Sequence, residues 1–447
     1  MRIVVLGTGY LGITHAACLA SAGLDVLGVD IDQAKVDKLS AGLIPIYEPG
    51  LAYLVDAGVR SGRLRFTTSY DAAATFGDVH FICTGTPPLD EFGTVDLSQV
   101  RACLAELVPR LDRPVLVVGK STVPVGTARE IARELAAADS EAEIAWNPDF
   151  MREGTAVADT LRPERIVVGV TSRKAENQLR QIYDPQIERG ARFLATTLET
   201  AELAKLAANA FLATKISFIN MMADACEVIG GDVKAVSNIL GTDSRIGATY
   251  LQPGLGFGGG CLTKDIRAFR AWAQKSGIES AVNLLSEIDK VNLRHRSRMA
   301  DLAVELVGGD LNGHSACVLG AAFKPGCDDV RDSPALDVAR ILYGYGASVT
   351  VYDPVARTAA EKAFPDFQYA RSVADAAKNA SVVVLLTDWS EFVKLIPSDL
   401  DDLVKFKNIV DGRNVLNQGL WQRAGWNYRA LGVETVRVSQ QARLQET

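Results

Sequence analysis

One cysteine of this 447-residue chain stands in a setting that favours nucleophilic chemistry. Glycine fills five of the seven positions before Cys261. After it, Leu262, Ile266, Phe269 and Ala273 recur at i, i+4, i+7 and i+11, which predicts a helix stopping near Gly277. Cys261 then lies at a helix N-terminus beside Lys264. Both features favour thiolate over thiol, and such sites bring a cysteine from about 8.5 toward about 7. The glycines also let backbone N–H groups come close to a bulky substrate. The seven cysteines are odd in number and lack Cys-x-x-Cys or His-rich spacing, so neither a disulfide framework nor a metal site is expected. Cys18, Cys103, Cys226, Cys317 and Cys327 read as small core residues. Upstream, Lys205 and Asn209 fall four apart in an Ala- and Leu-rich stretch, so their heads can converge on one oxygen. The plainer alternative for Lys205 and Asp265 is that they are surface charges.

A second set of residues points to a dinucleotide. Residues 1–6 form a short apolar run, followed by Gly7-x-Gly9-x-x-Gly12 and a helical stretch over 13–22 that ends at Gly23. Glycines there permit a tight turn and close approach to a pyrophosphate, and the helix N-terminus supplies partial positive charge. A second run ends at Asp30, 18 residues after Gly12, where a carboxylate accepts from a ribose diol and repels a 2′-phosphate. NAD is therefore expected over NADP. A glycine-rich turn with a surface aspartate is the plainer alternative. The loops Thr84-Gly85-Thr86-Pro87-Pro88 and Lys120-Ser121-Thr122-Val123-Pro124 follow further strands, where such sheets bind ligands, although both are also ordinary turn sequences.

The elements that must carry these residues alternate in type. Strands are expected at 3–6, 25–29, 79–83, 115–118 and 166–170, a helical stretch at about 198–300, and strands again at 316–319, 348–351, 382–386 and 408–410. The fold class expected is α/β, with two Rossmann-like, doubly wound parallel-sheet domains joined by a helical central segment. The expected boundaries are 1–198, 199–305 and 306–447. The Gln- and Arg-rich tail after Val438 is expected to be loose. With 48% hydrophobic and 23% charged residues the composition is globular. A net charge of −7 argues against a nucleic-acid partner. No uninterrupted apolar run reaches the roughly 18 residues of a membrane span, and glycines follow residues 3–6 where a signal peptide would continue. A cytoplasmic protein without a membrane partner is expected.

Across nearly the whole chain the sequence resembles the nucleotide-sugar 6-dehydrogenases, which include UDP-glucose and GDP-mannose dehydrogenases. The resemblance rests on Gly7-x-Gly9-Tyr10-x-Gly12, Pro45-Ile46-Tyr47-Glu48-Pro49-Gly50, Gly85-Thr86-Pro87, Ser121-Thr122-Val123-Pro124-x-Gly126-Thr127 and Asn147-Pro148-Asp149-Phe150-Met151-Arg152-Glu153-Gly154. It continues through Lys205-x-x-x-Asn209, residues 258–265, Phe323-Lys324-Pro325 to Arg331-x-Ser333-Pro334, and Asp411-Gly412-Arg413-Asn414.

The resemblance implies an NAD-binding N-terminal domain, a helical middle that mediates homodimerisation and a C-terminal domain for the nucleotide sugar. It implies four-electron oxidation of a sugar C6 alcohol to a carboxylate with two NAD in succession, through a thiohemiacetal and then a thioester on Cys261. Lys205 and Asn209 are similar to the pair that stabilises the oxyanion, and Asp265 to the residue that activates water or takes the alcohol proton. Asp149 and Thr122 complete the implied catalytic set. Implied around the cofactor are Gly7, Gly9, Tyr10, Leu11, Gly12, Asp30, Lys35, Thr84, Gly85, Thr86, Thr122, Glu153, Lys264 and Arg331. Implied around the sugar nucleotide are Phe150, Met151, Arg152, Glu153, Lys205, Asn209, Arg245, Tyr250, Leu251, Gly254, Phe257, Gly258, Cys261, Phe323, Lys324 and Arg413.

Two positions depart from the family pattern. Pro148-Asp149-Phe150 stands where Pro-Glu-Phe is usual, and Thr263 stands where Cys-x-Pro-Lys-Asp has its proline. Residues 254–259 look nearer the UDP-glucose branch, with dTDP-glucose, GDP-mannose and UDP-N-acetylhexosamines as alternatives. A non-catalytic nucleotide sensor is the reading from another class, and intact Cys261, Lys205, Asn209 and Asp265 argue against it.

Overall fold

The computed structural model describes residues 1–90 and 93–433, so the segment after Val438 lies outside the described residues. The first sheet contains β1 (Arg2–Leu6), β2 (Asp25–Val29), β3 (Leu64–Thr67), β4 (Val79–Ile82), β5 (Leu116–Gly119), β6 (Glu143–Trp146), β7 (Arg165–Gly169) and β8 (Arg192–Thr196). Its order is β3-β2-β1-β4-β5-β6-β7-β8, and the first six neighbours are parallel. Strands β6 and β7 meet through one antiparallel pair, Trp146 with Gly169, so the parallel pattern expected from sequence ends there. The second sheet contains β9 (Ser315–Leu319), β10 (Ser348–Tyr352), β11 (Gln368–Tyr369), β12 (Val382–Leu385), β13 (Asn408–Asp411) and β14 (Asn427–Ala430). It is parallel throughout, in the order β11-β10-β9-β12-β13-β14. Both sheets thus carry the 3-2-1-4-5-6 order of doubly wound dinucleotide folds. Each has its switch point beside its first strand, between β1 and β4 or between β9 and β12.

Alternation along the strands builds a core on both faces of each sheet. Ile3, Val5, Phe81 and Val118 pack on one side of the first sheet, and Val4, Leu6, Ile82 and Val117 on the other. In the second, Val318, Val349 and Val384 oppose Cys317, Leu319, Val383 and Leu385. Such two-sided burial explains why these strands read as continuous apolar runs. Each side chain buried in full contributes about 1.5–3 kcal/mol relative to exposure.

By its internal contacts the chain divides into two compact units, 1–208 with 267–279, and 209–266 with 280 onward. The expected helical middle consists of Leu198–Ile229, Val233–Thr242, Leu262–Lys275 and Glu279–Leu306. By length and composition alone Leu198–Ile229 could cross a membrane. However, it buries Glu202, Lys205, Asn209, Ser217 and Asn220, which is the pattern of a core helix carrying polar functions.

Candidate active site

In the first unit the chain leaves β1 through Gly7, whose φ of +90° suits glycine, and the Gly7 N–H donates to Val29 O at 2.8 Å. A Cβ on Gly12 would lie 1.8 Å from the Gly7 carbonyl oxygen, whereas one on Gly9 would meet nothing within 4 Å. The helix Tyr10–Ser21 starts here without a side-chain cap, and its first-turn N–H groups suit an anion. Leu11 packs against the sheet core.

Asp30, at the end of β2, is buried, and its Oδ2 accepts from the Thr8 N–H (2.9 Å), the Thr8 hydroxyl (2.8 Å) and Lys35 Nζ (2.8 Å). Burial alone would raise its pKa, but Lys35 and Thr8 hold it below the ordinary aspartate value. Oδ1 takes the Asp32 N–H at 3.2 Å and retains acceptor capacity. An open glycine at a helix start and an ionised carboxylate 18 residues beyond Gly12 fit NAD.

The two strand-end loops are tied together. Thr86 Oγ1 donates to Thr122 O at 2.9 Å, and Ser121 Oγ donates to Thr84 O at 2.6 Å. The Gly85 N–H goes to Gln99. Glu202, also buried, accepts the Gly126 and Ala128 N–H groups at 2.7 Å each, which fixes the start of the helix Thr127–Ala137.

The Tyr10 hydroxyl is hydrogen-bonded to buried Glu48 and accepts the Gly154 N–H at 2.9 Å. Glu48 also takes the Gly154 and Val157 N–H groups. It therefore joins the cofactor turn to the loop of Phe150, Met151, Arg152 and Glu153. Within that loop Arg152 pairs with Asp159, and Arg165 and Lys205 lie over the Phe150 ring. Burial raises the pKa of Asp149, opposed by the charges of Lys120 and Lys205.

In the second unit Cys261 is exposed while the other six cysteines of the chain are buried. It directly precedes the helix Leu262–Lys275, and the Asp265 N–H donates to Cys261 O at 2.9 Å. Asp265 is 1% exposed and accepts from Asn209 Nδ2 at 2.6 Å. The Lys264 ammonium, expected to bear on the thiol, sits 2.8 Å from Asp265 Oδ1.

The glycine run is filled by protein. An added Cβ would lie 2.7 Å from Gly412 O at Gly254, 2.2 Å from Asn292 Oδ1 at Gly256, 2.1 Å from Asp332 O at Gly258 and 2.8 Å from the Phe323 ring at Gly259. At Gly260 it would meet the Arg331 guanidinium. Asn292 bonds both the N–H and the carbonyl of Phe257, and buried Arg296 reaches the same carbonyl while pairing with Asp332 and Asp337. Close packing leaves these positions no room for a side chain.

Leu251, Gly254, Phe257 and Gly258 are buried, Tyr250 has a φ of +66°, and Arg245 is exposed and paired with Asp243. Lys324 lies over Phe323, and Arg331 pairs with Asp329. Arg413 donates to Leu386 O and Phe323 O. Sequence reasoning did not single out Glu48, Glu202, Asn292 or Arg296 for these roles. Glu202 is a carboxylate in an Ala- and Leu-rich stretch and Glu48 lies in the motif at residues 45–50, whereas Asn292 and Arg296 fall in a polar run that gives no signal.

Three family models cover this architecture in order: the NAD binding domain of the UDP-glucose/GDP-mannose dehydrogenase family at residues 1–187, its central domain at 199–294 and its UDP binding domain at 317–418. The chain belongs to the UDP-glucose/GDP-mannose dehydrogenase family. Its cofactor is NAD. It is 39% identical over 434 residues to the UDP-glucose 6-dehydrogenase of Rickettsia felis, covering 97% of this chain and 96% of that one. The structure of a UDP-glucose dehydrogenase from Pyrobaculum islandicum matches with a TM-score of 0.87 at 36% identity, over 97% of this chain and 98% of that chain. A UDP-D-ManNAc dehydrogenase from Pyrococcus horikoshii matches at 0.85 and 28%, over 97% and 99%. The two-sheet fold with its helical middle is therefore that of the family.

Proposed function

We propose that this protein oxidises the C6 alcohol of UDP-glucose to the carboxylate of UDP-glucuronate, as a UDP-glucose 6-dehydrogenase. One observation carries the mechanism: the exposed cysteine stands one helical turn before a buried carboxylate, Asp265, that is held by Asn209. NAD, held at the turn of residues 7–12 and Asp30, would supply the hydride acceptor for each of the two oxidations. Asp265 takes the alcohol proton as the first hydride leaves C6. The Cys261 thiolate adds to the resulting aldehyde carbon, and Lys205 and Asn209 donate to the oxygen on which negative charge develops. Loss of the second hydride leaves a thioester. Water adds with Asp149 as base, the carbon–sulfur bond breaks, and the acid departs.

The identities support UDP-glucose over the N-acetylhexosamine alternative, 39% and 36% against 28%. Lys324 and Arg413 follow strands of the second sheet, where cations suit a diphosphate. The remaining assignments around cofactor and substrate are proposed as the resemblance implies them. The functional division proposed is 1–198, 199–305 and 306–447. Exposed Phe211, Phe218, Met221 and Val228 recur along one stripe of Leu198–Ile229, which supports a homodimer through the central helices. A cytoplasmic site of action accords with nucleotide substrates.

Absorbance at 340 nm with a panel of nucleotide sugars tests the reading. UDP-glucose is expected to give the highest kcat/KM, and NADH formation from none of the panel would overturn it.

A further inference from the structure

One buried polar cluster in the first unit has no role in the scheme above. Lys120 follows β5 and Asn147 follows β6, and the register Gly119 with Trp146 sets them side by side. Lys120 is 7% exposed, and its Nζ donates to Asn147 Oδ1 at 3.1 Å. The Tyr183 hydroxyl donates to the same oxygen, and Asn147 Nδ2 donates to Val167 O at 2.8 Å. With its amide N–H on a carbonyl and its oxygen shared by two donors, Asn147 has one orientation. The ammonium is therefore held by an amide that Tyr183 and Val167 fix in turn.

A buried charge is costly unless an opposite charge compensates it. The carboxylate acting on Lys120 is Asp149, and the action is mutual. The other groups bearing on the pair are Lys205, Asp159, Cys83, His15 and Tyr183. Burial pushes Cys83 up to about 12 and His15 well below its ordinary value, while Tyr183 is raised, so these three are neutral near pH 7. Burial lowers the pKa of Lys120 and raises that of Asp149, and each of these two charges favours the other.

We propose that Lys120 is a positioning residue for the hydrolytic step, a cation fixed in the interior by Asn147 whose charge complements the Asp149 carboxylate. The inference rests on the proposed role of Asp149 as base. In that step water oxygen bonds to the thioester carbon as its proton passes to Asp149. The carbon–sulfur bond then breaks, sulfur leaves with the electron pair, and the proton returns to the thiolate. Nothing is oxidised or reduced.

The test is the pH dependence of kcat for the full chain with UDP-glucose and NAD. Burial raises the pKa of Asp149 and Lys120 lowers it, so removing Lys120 leaves Asp149 protonated up to a higher pH. Lys120→Met is expected to move the low-pH limb of kcat upward by roughly one pH unit, the smaller end of what a nearby opposite charge produces. The KM values for both substrates should change little. On that limb intact-mass measurement should find the sugar nucleotide held on Cys261. Lys120→Arg should restore the limb.

A purely structural lysine would lower kcat at every pH without moving the limb, and that result overturns the proposal. Should Lys120→Met fail to fold, Asn147→Ser keeps the charge but loosens it, and a smaller shift in the same direction is expected. An unchanged limb there is equally decisive against it. If the wild type makes no NADH from UDP-glucose, the functional reading has failed and the inference falls with it. An active wild type with an unmoved limb in the variants defeats the inference alone.

Discussion

The glycines at residues 7–12 and those at 254–260 look alike in sequence but meet different surroundings. In the first run Gly7 and Gly12 are demanded by the turn itself, while Gly9 faces open space. In the second, all five abut other parts of the same unit, from Asn292 to Gly412. One run makes room for a ligand. The other makes room for protein, and it delivers a single exposed thiol at the start of a helix. Glycine density alone therefore does not mark a ligand cradle, and what an added methyl would touch distinguishes the two cases.

Substitution at the packed positions should have the largest effect. Gly258→Ala puts a Cβ against Asp332 O and the Pro334 ring, so the loop must shift. A displacement of about 1 Å at a reacting centre costs on the order of 100-fold, and kcat should fall at least that far, together with the melting temperature. Retained kcat would show the loop to be pliable and break the comparison.

Gly9→Ala is the opposite case. With φ of −68° and nothing near its Cβ, the variant should melt as the wild type does, yet raise the KM for NAD by about tenfold, or roughly 1.4 kcal/mol. A fall in melting temperature with an unchanged KM would place protein, not ligand, at that position.

A third measurement sharpens the ligand side. Asp30 should make NAD preferred over NADP by at least about tenfold. Equal kcat/KM with the two cofactors would remove its assigned role. Last, Arg413→Ala should raise the KM for the sugar nucleotide several-fold, by roughly 1 kcal/mol, and leave that for NAD nearly unchanged. This modest expectation follows from the guanidinium already being bonded to two protein carbonyls.

Much of this was legible in the chain. The cofactor turn, the helix after Cys261 and the apolar strands each declare themselves within about a dozen residues, and Asp30 follows Gly12 by 18 positions. The strands that sequence reasoning missed are β3, β6, β8, β11 and β14. Strand β11 has only two residues, and β8, with the sequence RFLAT, is exposed or half-exposed throughout, so its alternation is weak. The polar clusters were hidden for another reason. Glu48 meets Gly154 across 106 positions, and Lys120 meets Asn147 across 27, distances that no periodicity window spans. The packing of residues 254–260 was misjudged similarly, because Asn292, Phe323, Asp332 and Gly412 all arrive later in the chain.

The central claim is a covalent four-electron oxidation at Cys261, and counting NADH against UDP-glucose consumed tests it most directly. The wild type should yield two NADH per UDP-glucose. Cys261→Ser should bind UDP-glucose but fail to complete turnover, since an ester formed on serine would hydrolyse far more slowly than a thioester. Full steady-state activity in Cys261→Ser, or one NADH per sugar in the wild type, would contradict the account.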